Sequence, residues 1–132
     1  MLHQPMEKVK GTMQQLCKRI LEMKDVRFAG LIDSYGNLYT GGFREGVAPF
    51  ENDVRRSLYM KFALETAFRK DFDESLGVFD YSLVQRNKVS ILTIPICNYL
   101  LLVILEPLND LPPIVAKIQR MIEDNKTEAI LQ

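Results

Sequence analysis

Histidine and cysteine are scarce in this sequence: 132 residues include one histidine, His3, and two cysteines, Cys17 and Cys97. A single histidine excludes most histidine-based catalytic triads and any histidine-rich metal site. The cysteines are far apart and form no CxxC pair. Each lies in an apolar pattern, where a free cysteine behaves as a small hydrophobic residue. We therefore predict that both cysteines are core residues, without a disulfide or a redox role.

The chain also lacks a net charge and a long apolar run. Lys and Arg together number 17, as do Asp and Glu, so no overall field draws the protein to nucleic acid or to an anionic membrane. No apolar stretch reaches the roughly 20 residues of a membrane span. Glu7, Lys8 and Lys10 stand where a signal peptide would have its apolar core. We expect a cytoplasmic protein with no nucleic acid partner and no membrane span.

What the sequence does contain is 47% apolar residues, which is enough for one hydrophobic core in a chain of this length. We predict a single domain over residues 5–124 and a loose tail over residues 125–132.

Apolar spacing divides the chain into an α+β order of helix, hairpin, helix, three strands and helix. The run from Tyr99 to Glu106 is apolar at every position but its last, which is typical of a central strand covered on both faces. The predicted elements are helices over about 5–24 and 52–70, strands over about 28–33, 37–43, 79–83, 88–94 and 99–106, and a final helix capped by Asn109 or Asp110.

Asp33 lies between an apolar run and a glycine pair, where it could belong to a site or form the corner of a hairpin. Aspartate at the first position of a type I turn, with a glycine at the fourth, is typical of a corner. The glycines that follow, in GGFREG, have neither of the phosphate-loop spacings. The sequence assigns no function to residues 44–49.

The second predicted helix is apolar over an unusually wide arc. Such a helix must be covered on more than one side, by the sheet of its own domain and by something else, for which a second subunit is the leading candidate. Its residues fall on two stripes: Val54, Leu58 and Phe62 on one, and Met60, Leu64, Ala67 and Phe68 on the other.

Three stretches give the chain its likeness to a known family: FAGLIDSYGNLYTGGF, the broadly apolar helix that follows it, and VSILTIPICNYLLLVILE before the final helix. In these features residues 5–124 resemble the roadblock/LC7 (dynein light chain) family. The resemblance implies a five-stranded antiparallel sheet, in the order α-β-β-α-β-β-β-α, with the middle helix on one face and the terminal helices on the other. Longin, profilin and PAS-like domains have related layouts.

Members of that family dimerise through their third strands and middle helices and bind small Ras-like GTPases or scaffold subunits. The resemblance therefore implies a homodimer here, paired through residues 78–85 and 53–69, that presents a surface to a protein partner such as a small GTPase. The connection GGFREGVAPFEND departs from the family pattern because it is longer and richer in glycine. The expected dimer interface consists of Val54, Leu58, Met60, Leu64, Phe68, Phe79, Tyr81 and Leu83.

The remaining polar and aromatic residues give little support to chemistry, and we predict no catalytic residue, metal or cofactor. Asp71, Asp73 and Glu74 form an acidic cluster without the spacing of an EF-hand loop. Arg55 and Arg56 are candidates for contact with a nucleotide or an acidic partner, or for the solvated edge of an interface.

One alternative stays open: a PAS- or profilin-like sensory domain that binds a small ligand between helices and sheet, with Tyr35 and Tyr39 lining the pocket. If there is no such pocket, these tyrosines simply cover the sheet.

Overall fold

The structure, a computed structural model, describes the backbone of residues 3–107 and 110–131 and the side chains of residues 10–107 and 110–126. The side chain of His3 and the cap predicted at Asn109 lie outside the described residues. The elements are α1 (His3–Leu21), β1 (Val26–Ile32), β2 (Leu38–Phe43), α2 (Asn52–Arg69), a 3-10 turn (Lys70–Phe72), α3 (Asp73–Leu76), β3 (Ser82–Gln85), β4 (Ser90–Ile96), β5 (Tyr99–Leu105) and α4 (Pro112–Leu131).

The five strands form one antiparallel sheet in the order β2-β1-β5-β4-β3. Leu16 of α1 and Ile118 of α4 pack in one core cluster on one face of the sheet, and Phe62 of α2 packs in a second cluster on the other. The predicted fold class is thus confirmed. β5 lies in the middle of the sheet with six of its seven residues buried, which explains its nearly unbroken apolar sequence.

Asp33 is the corner of the β1–β2 hairpin. Its Oδ1 accepts hydrogen bonds of 2.9 Å from the backbone N–H groups of Tyr35 and Asn37, and Gly36 supplies a φ of 85° that favours glycine. Burial raises the pKa of Asp33, but the hydrogen bonds from Asn37 and Tyr35 outweigh it, so the pKa lies below its usual value. The ionised carboxylate therefore serves the turn.

Arg44, for which the sequence assigned no function, fastens the end of β2 to the end of α1. Its guanidinium donates to the carbonyl oxygens of Leu21 at 2.6 Å and Lys24 at 2.7 Å, and also to that of Met23. The last carbonyls of a helix have no partner within the helix, and they favour a nearby positive charge. Arg44 supplies both the hydrogen bonds and the charge.

The third strand is shorter than predicted. β3 spans Ser82–Gln85, whereas we expected a strand that included Phe79 and Tyr81. Its pairing with β4 ends where Ser82 faces Thr93. Two residues further along β4 lies Pro95, which has no N–H to donate to a neighbouring strand, and this accounts for the end of the pairing.

The final helix is longer than predicted. α4 continues to Leu131, where we expected a loose tail from residue 125. Asn125 lies three residues after the buried Ile122 and is itself buried, so the packed face of the helix includes one more turn than its apolar residues indicate. The limits of 5–124 for the domain stay a prediction. Among the described helices, none combines the length and the apolar composition needed to span a bilayer.

The prediction for the cysteines is right for one and wrong for the other. Cys17 is buried on α1, and burial raises the pKa of its thiol to about 12. Cys97 is exposed, because it lies in the two-residue turn between β4 and β5 with a φ of 54°. Such turns require a positive φ, and this conformation turns Cys97 away from the core.

Candidate interaction surface

α2 covers one face of the sheet with a narrow part of its circumference. Tyr59, Phe62 and Ala63 are its buried residues, and they pack with Phe28 and Ile104 of the sheet. These three positions lie within one turn on the same side of the helix. Most of the apolar arc predicted for this helix therefore faces away from the sheet.

An exposed row of large apolar side chains runs along the outer side of α2 and beyond its end. The members are spaced four residues apart: Met60, Leu64 and Phe68 lie on successive turns of α2, and Phe72 and Leu76 continue the spacing through the 3-10 turn and α3. Between 54% and 80% of each side chain is exposed. We call this row the outer stripe; it consists of Met60, Leu64, Phe68, Phe72 and Leu76.

Sequence reasoning missed the last two members of the outer stripe because it ended the helix at residue 70. The chain continues as the 3-10 turn and α3. Lys70 and Asp73 keep helical angles of φ −62°, ψ −25° and φ −60°, ψ −40°, whereas Phe72 between them has φ −105°, ψ 5°. The spacing of Phe72 and Leu76, which continues the series from Phe68, was the signal available in the sequence.

The other predicted stripe on α2 turns gradually from solvent into the core. Val54 is exposed, Leu58 is half-buried and packs beside the α2 cluster, and Phe62 is buried. Successive positions four residues apart advance by about 40° around a helix, and this rotation carries the row toward the sheet. In a single copy Val54 is therefore the exposed member of this row, and Leu58 is partly accessible.

β3 is an edge strand that pairs only with β4 among the described strands. Val84 packs beside the cluster under α2, whereas Leu83 packs beside the cluster under α1 and α4. Tyr81 is exposed, and Phe79 lies against the guanidinium of Arg69, with 4.8 Å from the Arg69 Cζ to the ring centroid. The outer edge of β3 is therefore open.

The tip of the β1–β2 hairpin touches α2 at the outer stripe. A Cβ placed on Gly36 would lie 2.7 Å from the Cα of Met60. Tyr35, the neighbour of Gly36, is 81% exposed. The hairpin therefore adds an aromatic ring close to the start of the outer stripe. Tyr39 instead stacks on Tyr99, with 4.5 Å between ring centroids, beside the cluster on the other face of the sheet.

The two arginines predicted as partner contacts do not project together. Arg56 is exposed, whereas Arg55 is half-buried and donates a hydrogen bond to Oδ1 of Asn52. Consecutive residues on a helix point about 100° apart. Of the two, Arg56 has the accessible guanidinium.

The acidic cluster that follows α2 is spread along the 3-10 turn and α3. Asp71 and Glu74 are exposed and Asp73 is half-buried. In the part of the chain that the structure describes, no three His, Cys, Asp or Glu side chains come together as a metal-binding group.

Similar solved structures define the class of fold. A roadblock/LC7 domain from Streptomyces avermitilis superposes with a TM-score of 0.65 at 8% identity, covering 89% of this chain and 97% of that domain. MglB from Myxococcus xanthus gives a TM-score of 0.66 at 16% identity, with 92% and 89% covered. A structure of MglB with a tetrameric arrangement gives 0.65 at 15% identity, with 87% and 88% covered. The chain thus has the roadblock/LC7 fold that its sequence resembles.

The sequence itself places the chain more narrowly. It belongs to the Family of unknown function (DUF6659), whose profile matches residues 6–129. No curated protein matches the sequence.

Proposed function

We propose that this protein is a non-enzymatic, homodimeric roadblock-like module that binds a protein partner, with small Ras-like GTPases as the first partner class to test. The observation that carries the proposal is the outer stripe. Monomeric proteins rarely expose a contiguous apolar patch larger than a few hundred Å², and larger patches mark interaction sites. Five large apolar side chains spaced four residues apart, each more than half exposed, support an interaction site here.

The open edge of β3 supports the same conclusion. An uncovered edge strand offers unpaired N–H and C=O groups to another chain, which is a liability in a monomer. In the proposed dimer, β3 pairs with β3 of a second copy and the two α2 helices pack together. The proposed interface residues are those expected from the sequence: Val54, Leu58, Met60, Leu64, Phe68, Phe79, Tyr81 and Leu83.

Sedimentation velocity at micromolar concentrations tests the dimer. We expect the wild-type chain to sediment as a dimer and the Leu64→Asp variant to dissociate. Since Leu64 is 57% exposed in a single copy, the substitution leaves the monomer folded but places an unpaired charge in the interface. An unpaired charge in the interface costs about 3 kcal/mol or more of association free energy, which raises the dissociation constant by ~100-fold or more.

Gln14→Asp is the matched control for this experiment. Gln14 is exposed on α1, on the opposite side of the sheet, and the substitution introduces the same charge. It should leave the dimer intact. A wild-type chain that sediments as a monomer would refute the proposed dimer, and a Leu64→Asp variant that dimerises normally would remove α2 from the interface.

The partner class can be tested by surface binding measurements with small Ras-like GTPases, each loaded with GDP or with a GTP analogue. Arg56→Ala should weaken binding because its guanidinium is accessible, whereas Arg55→Ala should have little effect because Arg55 is engaged with Asn52. Equal effects of the two substitutions would argue against a contact through Arg56. No binding by any GTPase would refute the partner class and leave the dimer in place.

The sensory alternative has weaker support. A ligand pocket between helices and sheet commonly measures ~300–1,000 Å³. The cavity beside the hairpin, between Ala63 and Thr66 of α2 and the β4–β5 turn, measures about 50 Å³. A hollow of about 450 Å³ lies between α4, Ile94 and Pro95 of β4 and residues 78–80, and neither Tyr35 nor Tyr39 lines it. Native mass spectrometry of the purified protein should detect no retained small molecule; a stoichiometric ligand would favour the alternative.

A further inference from the structure

Charge is distributed unevenly over the surface of this neutral chain. The outer side of α1 and α4, on the face of the sheet opposite α2, carries more basic than acidic side chains. Over residues 10–22 and 112–126, six side chains are basic and three are acidic, and all nine are exposed or half-buried. We call this surface the basic face; its basic members are Lys10, Lys18, Arg19, Lys117, Arg120 and Lys126.

The basic members of the two helices belong to one surface, because α1 and α4 pack against each other. The backbone N–H of Glu106 donates to the carbonyl oxygen of Asp25 at 2.8 Å, which holds the end of β5 beside the start of β1. α1 ends four residues before Asp25, and α4 begins six residues after Glu106. The end of α1, with Lys18, and the start of α4, with Lys117, therefore lie at the same end of the sheet.

Few of these charges are neutralised within the chain. Lys126 forms an ion pair with Glu123, with 3.5 Å between Nζ and Oε1. Among the described residues, the other five basic members take part in no salt bridge. Since Glu22 and Asp124 are the other two acidic side chains, five basic groups outnumber two acidic ones by three. The basic face therefore presents uncompensated positive charge to solvent.

The chemistry of the basic face fits a layer of anionic headgroups better than a folded protein. Interfaces between proteins have an apolar core, often with aromatic residues, and are poor in lysine. No large apolar side chain described on α1 or α4 is exposed, and four of the six basic members are lysines. A lysine ammonium is a strongly hydrated point charge, which attracts a charged surface without inserting into it. The described side chains of these helices also offer no exposed aromatic ring on which single-stranded nucleic acid could stack.

We propose that the basic face lies against an anionic lipid surface, where its ammonium and guanidinium groups are attracted to lipid phosphates and carboxylates. The inference goes beyond the proposed function, because the basic face belongs to a single copy. In the proposed dimer the two α2 helices pack together on one side of the joined sheet, so the two basic faces lie side by side on the other. The dimer therefore doubles the charge offered to one leaflet.

The zero net charge of the chain does not oppose such binding. At about 0.1 M salt, electrostatic forces are screened over about 10 Å. α2 lies beyond the sheet, and each helical layer is itself about 10 Å across, so acidic groups on the far side act only weakly on the leaflet. Each basic side chain near an anionic surface strengthens binding roughly fivefold. The local charge of the basic face, and not the net charge of the chain, therefore sets the affinity.

Co-sedimentation of the intact chain with lipid vesicles tests the proposal. Phosphatidylcholine vesicles with about 30% phosphatidylserine supply the anionic surface, and vesicles of phosphatidylcholine alone are the reference. We expect binding to the anionic vesicles at about 0.05 M NaCl and at least about tenfold weaker binding at about 0.5 M NaCl. The reference vesicles should not bind the chain.

Three charge reversals locate the contact. Lys18→Glu and Lys117→Glu should each weaken binding to the anionic vesicles at least about tenfold, because each removes an attraction and adds a repulsion in every copy. Lys70→Glu is the matched control: Lys70 is exposed at the end of α2, on the other side of the sheet, and binding should stay within about twofold of wild type. Circular dichroism checks folding. Lys18→Gln or Lys117→Gln, with an expected loss of about fivefold, replaces a reversal that does not fold.

No binding to the anionic vesicles at the lower salt, or equal binding to both kinds of vesicle, would overturn the proposal. So would a loss for Lys70→Glu as large as that for Lys18→Glu, since binding would then follow net charge alone. Displacement of the chain from the vesicles by a DNA duplex at equal phosphate concentration would assign the basic face to nucleic acid instead. A wild-type chain that is monomeric and still binds through Lys18 and Lys117 would support the basic face and refute the dimer.

Discussion

Replacing Arg44 should destabilise the fold more than an ordinary surface substitution does. Its guanidinium donates to the carbonyl oxygen of Leu21, the last residue of α1, and to those of Met23 and Lys24 in the turn that follows. Hydrogen bonds from a charged group contribute ~1.5–3 kcal/mol each in favourable cases. Part of this stabilisation is recovered in the Arg44→Ala variant, because water can form hydrogen bonds with the freed carbonyl oxygens. We therefore expect Arg44→Ala to lower the free energy of unfolding by about 2 kcal/mol in total, or the melting temperature by roughly 6 °C.

Urea denaturation followed by circular dichroism, at one fixed protein concentration, measures this loss. Arg44→Lys should lose more than half of the stabilisation, because an ammonium cannot reproduce the planar fork that spans separate carbonyls. Lys18→Ala is the control: Lys18 is exposed in the last turn of the same helix, so the variant removes a positive charge without removing the fork. If Arg44→Ala lowers the free energy of unfolding by less than about 0.5 kcal/mol, or by no more than Lys18→Ala does, the contact of Arg44 with these carbonyl oxygens does not stabilise the fold.

Three further predictions concern single groups. Gly41→Ala should cost about 2 kcal/mol or more in urea denaturation, since Gly41 has a φ of 103° and an added Cβ would lie 2.3 Å from a β1 carbonyl oxygen. Gly42→Ala, which meets nothing within 4 Å, should cost well under half as much. Arg27 lowers the pKa of Glu106 by a hydrogen bond of 2.5 Å. The pair should therefore contribute up to about 1 kcal/mol of stability above the unfolded pKa of Glu106 and lose it as pH falls through the folded pKa. Glu106→Gln should flatten that part of the pH–stability curve, and an unchanged curve would refute the contribution. A thiol reagent should modify Cys97 in the native protein at least about tenfold faster than the buried thiol of α1, and equal rates would contradict the placement of the β4–β5 turn.

Periodicity predicted the order of the helices and strands, whereas the placement of the helices on the two faces of the sheet came from the resemblance to the roadblock/LC7 family. The continuous apolar run of β5 requires cover on both faces, and the arc of α2 requires more cover than one sheet gives. The corner at Asp33 was predictable too, since its side chain acts on neighbours two and four residues away. These features depend on contacts that are close along the chain or on the average polarity of a face.

Features set by contacts between distant segments could not be predicted. Arg44 meets carbonyls that are 20 to 23 residues earlier, and nothing in its neighbourhood indicates this. The end of β3 depends on Pro95 of the neighbouring strand. Cysteine is a residue type that is often buried, but Cys97 lies in a turn. Only the register of β4 with β5 shows that it belongs to the turn and not to the core.

The length of the outer stripe also limits which dimers are consistent with it. Full burial of a large apolar side chain stabilises by ~1.5–3 kcal/mol relative to exposure. An interface confined to α2 would leave Phe72 and Leu76 in water, at 58% and 80% exposure, and would forgo most of that stabilisation. A contact that extends along the whole outer stripe would cover both residues in each copy. Apolar burial therefore favours a dimer whose interface extends beyond α2 to residues 70–76.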